Sequence, residues 1–266
     1  MSAPAIADIW PGQSVSLLKA LHILTPNGGL NADSRRKLKQ VQHLAQLIKP
    51  AIDTVLKEKD QPVLADLGAG KSYLGFILYD LYFGPAGRGR VIAVETRPEL
   101  IAAAKKIAEA SDFSRMDFVQ AKIADTEVGP VDIVTALHAC DTATDEAILF
   151  ALKHQAKYVA LVPCCQAEVA HQLEEVTGPL AQLWRHPIQR REFGAHLTNV
   201  LRGLFLEAQG YKVRITELTG LEHSLKNEFI LAERLQRTNP RARAEFDKLV
   251  KETGVAPKLL VGALAS

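Results

Sequence analysis

The sequence is poor in cysteine: Cys140, Cys164 and Cys165 are the only three in 266 residues. Three thiols cannot build a disulfide framework, so a reducing compartment, the cytoplasm, is expected. No apolar run approaches the roughly 18 residues that a membrane span needs, and no membrane partner is expected. Met1-Ser2-Ala3-Pro4-Ala5 lacks a basic segment followed by an apolar one, so no secretory signal is read. One-sided charge is also missing. With 32 Lys+Arg against 30 Asp+Glu the net charge is +2, which selects no partner. Internal repeats and low-complexity stretches are absent. What is present is 47% hydrophobic and 23% charged residues, the balance of a packed globular chain. Membrane, secreted mini-protein and fibrous classes are excluded, and an intracellular α/β enzyme is not.

Along the chain, residues 1–58 show no strand alternation and are expected to form a helical lid. Asp33-Ser34 reads as a capped helix start, with Leu38, Val41, Leu44, Leu47 and Ile48 at helical spacing up to Pro50. A second short helix is expected from Pro50 to Lys57. From Pro62 the texture changes. Val63–Leu67 runs into Gly68-Ala69-Gly70, and further apolar runs follow at Val91–Glu95, Met116–Gln120, Val131–Leu137 and Tyr158–Val162. Strands separated by helix-length intervals predict a parallel sheet covered on both faces. A helix near Thr198–Ala208 is expected to end at Gly210. Tyr211–Leu218 and Glu228–Ala232 lie too close in sequence for a crossover helix, so they are predicted to be antiparallel. The expected organisation is a lid (1–58), a sheet domain (59–236), and a C-terminal helix with a frayed tail (237–266).

Asp66-Leu67-Gly68-Ala69-Gly70-Lys71-Ser72 invites three readings. A phosphate-binding P-loop needs G-x-x-x-x-G-K-[ST], but the opening position is Ala65. A dinucleotide fingerprint needs a third glycine where Tyr73 stands. The remaining form, an acidic residue at a strand end followed by G-x-G, resembles motif I of class I S-adenosylmethionine (SAM) methyltransferases. There the glycines let the backbone approach the cofactor, and acidic groups suit its cationic ones. Glu95, ending the next strand, is then placed to accept hydrogen bonds from both ribose hydroxyls. The turn at Ala121 and Lys122 is expected near the adenine, and Leu137 at the fourth strand's end.

Ligands of open α/β sheets sit beyond the carboxyl ends of the strands. The fourth strand ends Leu137-His138-Ala139-Cys140-Asp141 and the fifth ends Val162-Pro163-Cys164-Cys165-Gln166. All three cysteines, a histidine and an aspartate therefore fall on one rim. At D-L-G-A-G-K-S-Y-L-G, L-H-A-C-D-x-A-T-D and V-P-C-C-Q the sequence resembles the methyltransferase domain 32 group. That group contains many bacterial proteins and a eukaryotic protein carrying a glutathione-S-transferase C-terminal-like domain. It is distantly similar to tRNA 2′-O-methyltransferases of the acceptor stem. Over roughly residues 35–235 the resemblance implies a class I, Rossmann-like three-layer α/β sandwich with a seven-stranded, mostly parallel sheet and an antiparallel last hairpin. It implies SAM at Asp66, Gly68, Ala69, Gly70 and Glu95.

Three chemistries for the rim compete. His138, Cys140, Asp141 and Cys164 could shape a methyl-acceptor pocket with His138 or Asp141 as general base. Cys164 could be the thiolate of a pyrimidine C5 methylation, because C5 of cytosine is not nucleophilic until C6 is attacked. Zinc could sit among the cysteines and His138, although adjacent cysteines do not readily share one ion and no C-x-x-C pair exists. No [DN]-P-P-[YF] follows the fourth strand, unlike adenine-N6 and glutamine amino methyltransferases.

On the substrate side, Trp184–His196 is basic and aromatic-bearing. His196, Asn199 and Arg202 recur at helical spacing, and the last hairpin adds Lys226 and Asn227. Lys39, Arg190, His196, Asn199, Lys226 and Asn227 are the expected acceptor contacts. RNA is the expected acceptor and partner, with a protein side chain or a non-catalytic SAM- or RNA-binding module as alternatives. A monomer is the default state.

Overall fold

The computed structural model describes residues 9–137, 139, 141–163, 166–218, 228–235 and 237–265. Seven strands lie in one sheet in the order β3-β2-β1-β4-β5-β7-β6; β1–β2, β2–β3 and β4–β5 pair in parallel, and β7 is antiparallel to both β5 and β6. The chain divides into two compact units, one ending at Val128 (with Leu218 counted to it) and one beginning at Gly129.

In the first unit, α1 (Val15–Ala20) is capped by Ser14, whose hydroxyl accepts from the Leu17 N–H. α2 (Ala32–Glu58) starts two residues before the expected site. Asn31 is its N-cap and accepts from the Ser34 N–H at 2.8 Å. It also runs straight through Pro50, where two helices were expected. Proline there removes one backbone hydrogen bond. The buried stripe continues unbroken across it, with Leu44, Ala45 and Ile48 before and Ala51, Ile52 and Val55 after. Burial of that stripe outweighs the local preference to break.

The first unit's sheet follows the predicted runs: β1 (Val63–Leu67), β2 (Arg90–Glu95) and β3 (Met116–Gln120). Leu67 pairs with Val94 and Glu95 with Gln120, so β2 ends level with β3 and one residue beyond β1. β1 and β2 are almost wholly buried, as strands covered on both faces must be, whereas the edge strand β3 is partly exposed. Helix α3 (Tyr73–Leu78) continues through a π-helical turn (Tyr79–Phe83) into the short α4 (Gly84–Ala86). α5 (Pro98–Ala110) then leads to β3. Phe76 packs against Phe113 and Phe118 with ring centres 6.2 and 6.1 Å apart, tying α3 to both ends of that connection.

In the second unit, β4 (Ile133–Leu137) and β5 (Tyr158–Val162) are parallel and joined by α6 (Thr142–Lys153). After β5 come α7 (Ala167–Gln172), a 3₁₀ segment (Pro179–Trp184) and α8 (Pro187–Ala208), which starts eleven residues before the expected position. β6 (Tyr211–Glu217) and β7 (Glu228–Arg234) form the antiparallel hairpin, with β7 also antiparallel to β5. The tail is two helices, α9 (Pro240–Thr253) and α10 (Lys258–Ala265), in place of one helix and a frayed end. Apolar anchors explain both. Phe246 of α9 is buried and faces Phe205 of α8 at 6.4 Å, and Leu260 of α10 is fully buried.

Candidate functional site

The turn after β1 has the shape its glycines permit. Gly68 and Gly70 have φ of 62° and 57°, and the Ala69 N–H donates to the Val94 carbonyl at 2.9 Å. Asp66 is buried at the end of β1. A Cβ on Gly75 of α3 would come within 3.3 Å of Asp66 Oδ2 and 2.9 Å of Ser72 Oγ. Gly75 is therefore the close-packing glycine of this turn, a role that sequence spacing had sought at Tyr73. Ser72 is buried in the left-handed conformation (φ 57°) and does not present its hydroxyl to a nucleotide's metal, so the P-loop reading loses its last residue.

Glu95, ending β2, is a heavily engaged carboxylate with six hydrogen bonds. Its Oε2 accepts from the Gly70 N–H at 2.8 Å and from Arg97 Nη2 at 3.2 Å. Its Oε1 accepts from the Thr96 N–H (2.9 Å), Thr96 Oγ1 (3.1 Å), the Arg97 N–H (3.1 Å) and Arg97 Nε (3.0 Å). Burial alone would raise this carboxyl. The hydrogen bonds from Arg97, Gly70 and Thr96 outweigh it and hold the group at about 2. Glu95 is thus an ionised acceptor locked to the glycine turn. Arg97 was missed in the sequence, where the signal was its place two residues beyond Glu95. Nearby, the Ala121 N–H donates to the Glu95 carbonyl at 3.2 Å, and the Lys122 carbonyl accepts from Thr126 Oγ1, with the Lys122 side chain exposed.

The second unit carries a buried polar network. Arg202, fully buried on α8, donates Nε to Asp145 Oδ1 at 2.6 Å, Nη1 to Asn199 Oδ1 at 3.2 Å and Nη2 to the Asp141 carbonyl at 2.8 Å. A guanidinium has no acceptor, so it fixes the Asn199 amide with its oxygen inward. Asn199 Nδ2 then donates to Glu228 Oε2 at 2.6 Å, and Glu228 Oε1 meets His196 Nδ1 at 3.2 Å. Gln166 Nε2 donates to Asn199 Oδ1 at 3.3 Å. Burial leaves the Asp145 carboxyl above its ordinary value despite the attraction of Arg202.

Asp141 has a structural task. Its Oδ1 accepts from the N–H groups of Ala167 and Glu168 (2.9 and 3.1 Å) and so caps the first turn of α7. Its backbone, at φ 52° and ψ −120°, lies where non-glycine residues are strained.

A family model describing a methyltransferase domain matches residues 36–172, just over half of the chain. The chain belongs to this methyltransferase family. SAM is its cofactor, and the seven-stranded fold is the one that the motif resemblance implied. A curated relative, the Bos taurus glutathione S-transferase C-terminal domain-containing protein, is 26% identical over an alignment of 222 residues that covers 74% of this chain. The chain spans about a third (34%) of that relative's length. A solved rRNA methylase from Streptococcus thermophilus is similar with a TM-score of 0.46 at 10% identity, covering 74% of this chain and 94% of that one. A SAM-dependent methyltransferase from Aquifex aeolicus aligns with a TM-score of 0.39 at 19% identity, covering 73% and 97%.

Of the cofactor residues expected in the first unit, Gly70 and Glu95 have a chemistry that fits the group. A Cβ on Gly70 would meet nothing nearer than Arg97 Nη2 at 3.8 Å, so the turn is open on that side. Glu95 supplies an ionised acceptor beside it. Gly70 and Glu95 are brought together directly; Lys39 stands exposed on α2, apart from them in the hydrogen-bond pattern. In the second unit Asp141, His196 and Asn199 are joined through Arg202 and Glu228, and Leu137 ends β4 half-buried. Arg190 is paired with Glu174 at 2.9 Å. His138, Cys140, Cys164, Lys226 and Asn227, with all three rim chemistries that depend on them, lie outside the described residues. Sequence spacing put Arg202 on a shared face with His196 and Asn199. It does share that face, bonded to Asn199, but it is a buried anchor, and Asp145 is the partner that spacing did not suggest.

Proposed function

We propose that this methyltransferase transfers the methyl group of SAM to RNA. Bound SAM supplies an electrophilic methyl on a sulfonium. The chain's own residues would bind and orient it: Glu95 would accept from the ribose hydroxyls, the turn at Gly68–Gly70 would admit the cofactor against the backbone, and the Asp66 carboxylate would balance its cationic amino group. Holding the reactants in line supplies much of the acceleration, so no strong base is required. Asp141, with one oxygen committed to α7, acts by fixing the β4–α6 turn.

The observation that carries the acceptor class is the segment Leu180–Arg191. Leu180, Leu183 and Ile188 are 51%, 54% and 58% exposed, and exposed Arg185, His186 and Arg191 lie among them. Cations suit phosphates and exposed apolar groups suit unstacked bases. Trp184, the aromatic in this stretch, is buried and stacks on Phe193 at 5.0 Å, so it organises the segment from beneath. The test is incubation with methyl-labelled SAM and cell extract. RNase-sensitive label supports RNA; protease-sensitive label replaces it with a protein side chain.

A further inference from the structure

Glu95 holds six hydrogen bonds, and they divide into two kinds. Four come from the neighbouring backbone and from Thr96: the N–H groups of Gly70, Thr96 and Arg97, and Thr96 Oγ1. These orient the carboxylate; three belong to the β2–α5 connection and the Gly70 N–H to the turn after β1. The other two come from the Arg97 guanidinium, with Nε on Oε1 at 3.0 Å and Nη2 on Oε2 at 3.2 Å. A bidentate guanidinium lays two parallel donors across the two oxygens of a carboxylate. Two vicinal hydroxyls of a ribose would make the same demand, one donor for each oxygen. With all six bonds in place, the carboxylate has no acceptor capacity left for a diol.

Arg97 is also built to leave. Its backbone is fixed as the N-cap of α5, ahead of Pro98, and its N–H stays on Oε1 whatever the side chain does. The side chain is 59% exposed, whereas that of Glu95 is 6% exposed. The guanidinium lies over the glycine turn, on the side of Gly70 that is otherwise open. Moving it therefore disturbs neither the strand nor the helix. It removes one donor from each Glu95 oxygen and leaves Oε2 with the Gly70 N–H alone, so the acceptor direction it frees is on Oε2, while Oε1 keeps three donors.

We propose that the Arg97 guanidinium is an internal stand-in for the ribose diol of SAM, seated on Glu95 until the cofactor displaces it, so that Arg97 sets cofactor affinity. This rests on the assignment of Glu95 to the ribose. Arg97 is a positioning residue, acting through Glu95. An ion pair with one largely exposed partner favours the closed arrangement by a factor of about 1.4 to 5. Apparent affinity falls by the fraction of molecules that are open, so removing the guanidinium tightens binding about two- to six-fold. The gain falls in the association rate, because the open form binds unchanged.

The test is titration calorimetry and stopped-flow binding with two probes, SAM and methylthioadenosine. The second carries the ribose and adenine but no carboxylate or ammonium. Arg97→Met keeps the bulk and removes the donors; Arg97→Lys keeps the charge but cannot bridge both oxygens. Both probes are expected to bind Arg97→Met two- to six-fold tighter through faster association, with Arg97→Lys between it and wild type. In a Glu95→Ala background, Arg97→Met is expected to change nothing. Unchanged or weaker binding of both probes by Arg97→Met and Arg97→Lys, with urea midpoints preserved, overturns the proposal while the ribose assignment stands. If Glu95→Ala alone leaves both affinities unchanged, the ribose assignment falls and the proposal with it.

Discussion

Arg202 offers the sharpest test of the second unit's architecture. It is fully buried, and its three donors satisfy Asp145, Asn199 and the Asp141 carbonyl, 57, 3 and 61 residues away in sequence. Arg202→Met keeps the volume and removes all three bonds, leaving the buried Asp145 carboxylate without its counter-charge. Breaking a buried pair from one side costs about 3–5 kcal/mol, a large part of the 5–15 kcal/mol that a domain usually has. The loss depends on pH. The Asp145 carboxyl already sits above its ordinary value through burial, and removing Arg202 takes away the influence that lowers it. A folded-state value above the unfolded one favours the folded state at low pH, and that contribution is lost as pH rises through the folded value. The gap between wild type and Arg202→Met therefore widens from mildly acidic to neutral pH. Asp145→Asn combined with Arg202→Met removes the stranded charge and is expected to recover at least about 2 kcal/mol over Arg202→Met alone. Urea unfolding followed by far-UV circular dichroism at pH 5 and pH 7.5 reads all three variants. A gap under about 1 kcal/mol at neutral pH, or one equal at both pH values, would mean that Arg202 does not balance a buried Asp145 charge.

Three further outcomes follow from local geometry. Asp141→Ala loses the cap on α7 but keeps the strained backbone, whereas Asp141→Gly loses the cap and relieves the strain; the glycine variant should be more stable by about 1 kcal/mol or more in urea unfolding. Gly194→Ala should cost about 1–3 kcal/mol, because its Cβ would lie 2.8 Å from Ala170 Cα and Cβ and force α7 from α8. Glu95 is held at about 2, below its ordinary 4.5, so it stabilises the fold above about pH 4.5 and that contribution is lost as pH falls towards 2. With Arg97 largely exposed, the loss is about 1 kcal/mol after solvent screening, and acid titrations of Glu95→Gln should lack it.

The strands were legible because each is a short apolar run in a sheet covered on both faces, and because Gly68 and Gly70 mark the turn after the first. The hairpin was legible from chain length alone, since no crossover fits between its strands. Helix limits were less so. Pro50 is a strong local signal, yet it is overridden by a stripe of buried side chains on both sides of it. α8 was seen only in its C-terminal half, where the apolar spacing is dense; its exposed first turns look like loop in composition. The carboxylate at Glu95 was identifiable by position, but not its grip on Gly70, 25 residues away. Arg202 carried a signal that could have been read: an arginine between Leu201 and Gly203, on the side of α8 that also holds Thr198, Phe205 and Leu206. Its partner could not be read, because long-range ion pairing leaves no periodicity. Asp141 was marked out for chemistry by its neighbours in sequence, and the fold gives it a cap to make.

The most direct test of the central claim, that this methyltransferase holds SAM through Glu95 at the end of β2, is calorimetric titration of SAM into wild type and Glu95→Ala. Hydrogen bonds to a charged acceptor contribute about 1.5–3 kcal/mol each, so the variant is predicted to bind at least about ten-fold more weakly while remaining folded. Binding of SAM to Glu95→Ala as tight as to wild type would mean that Glu95 does not hold the cofactor.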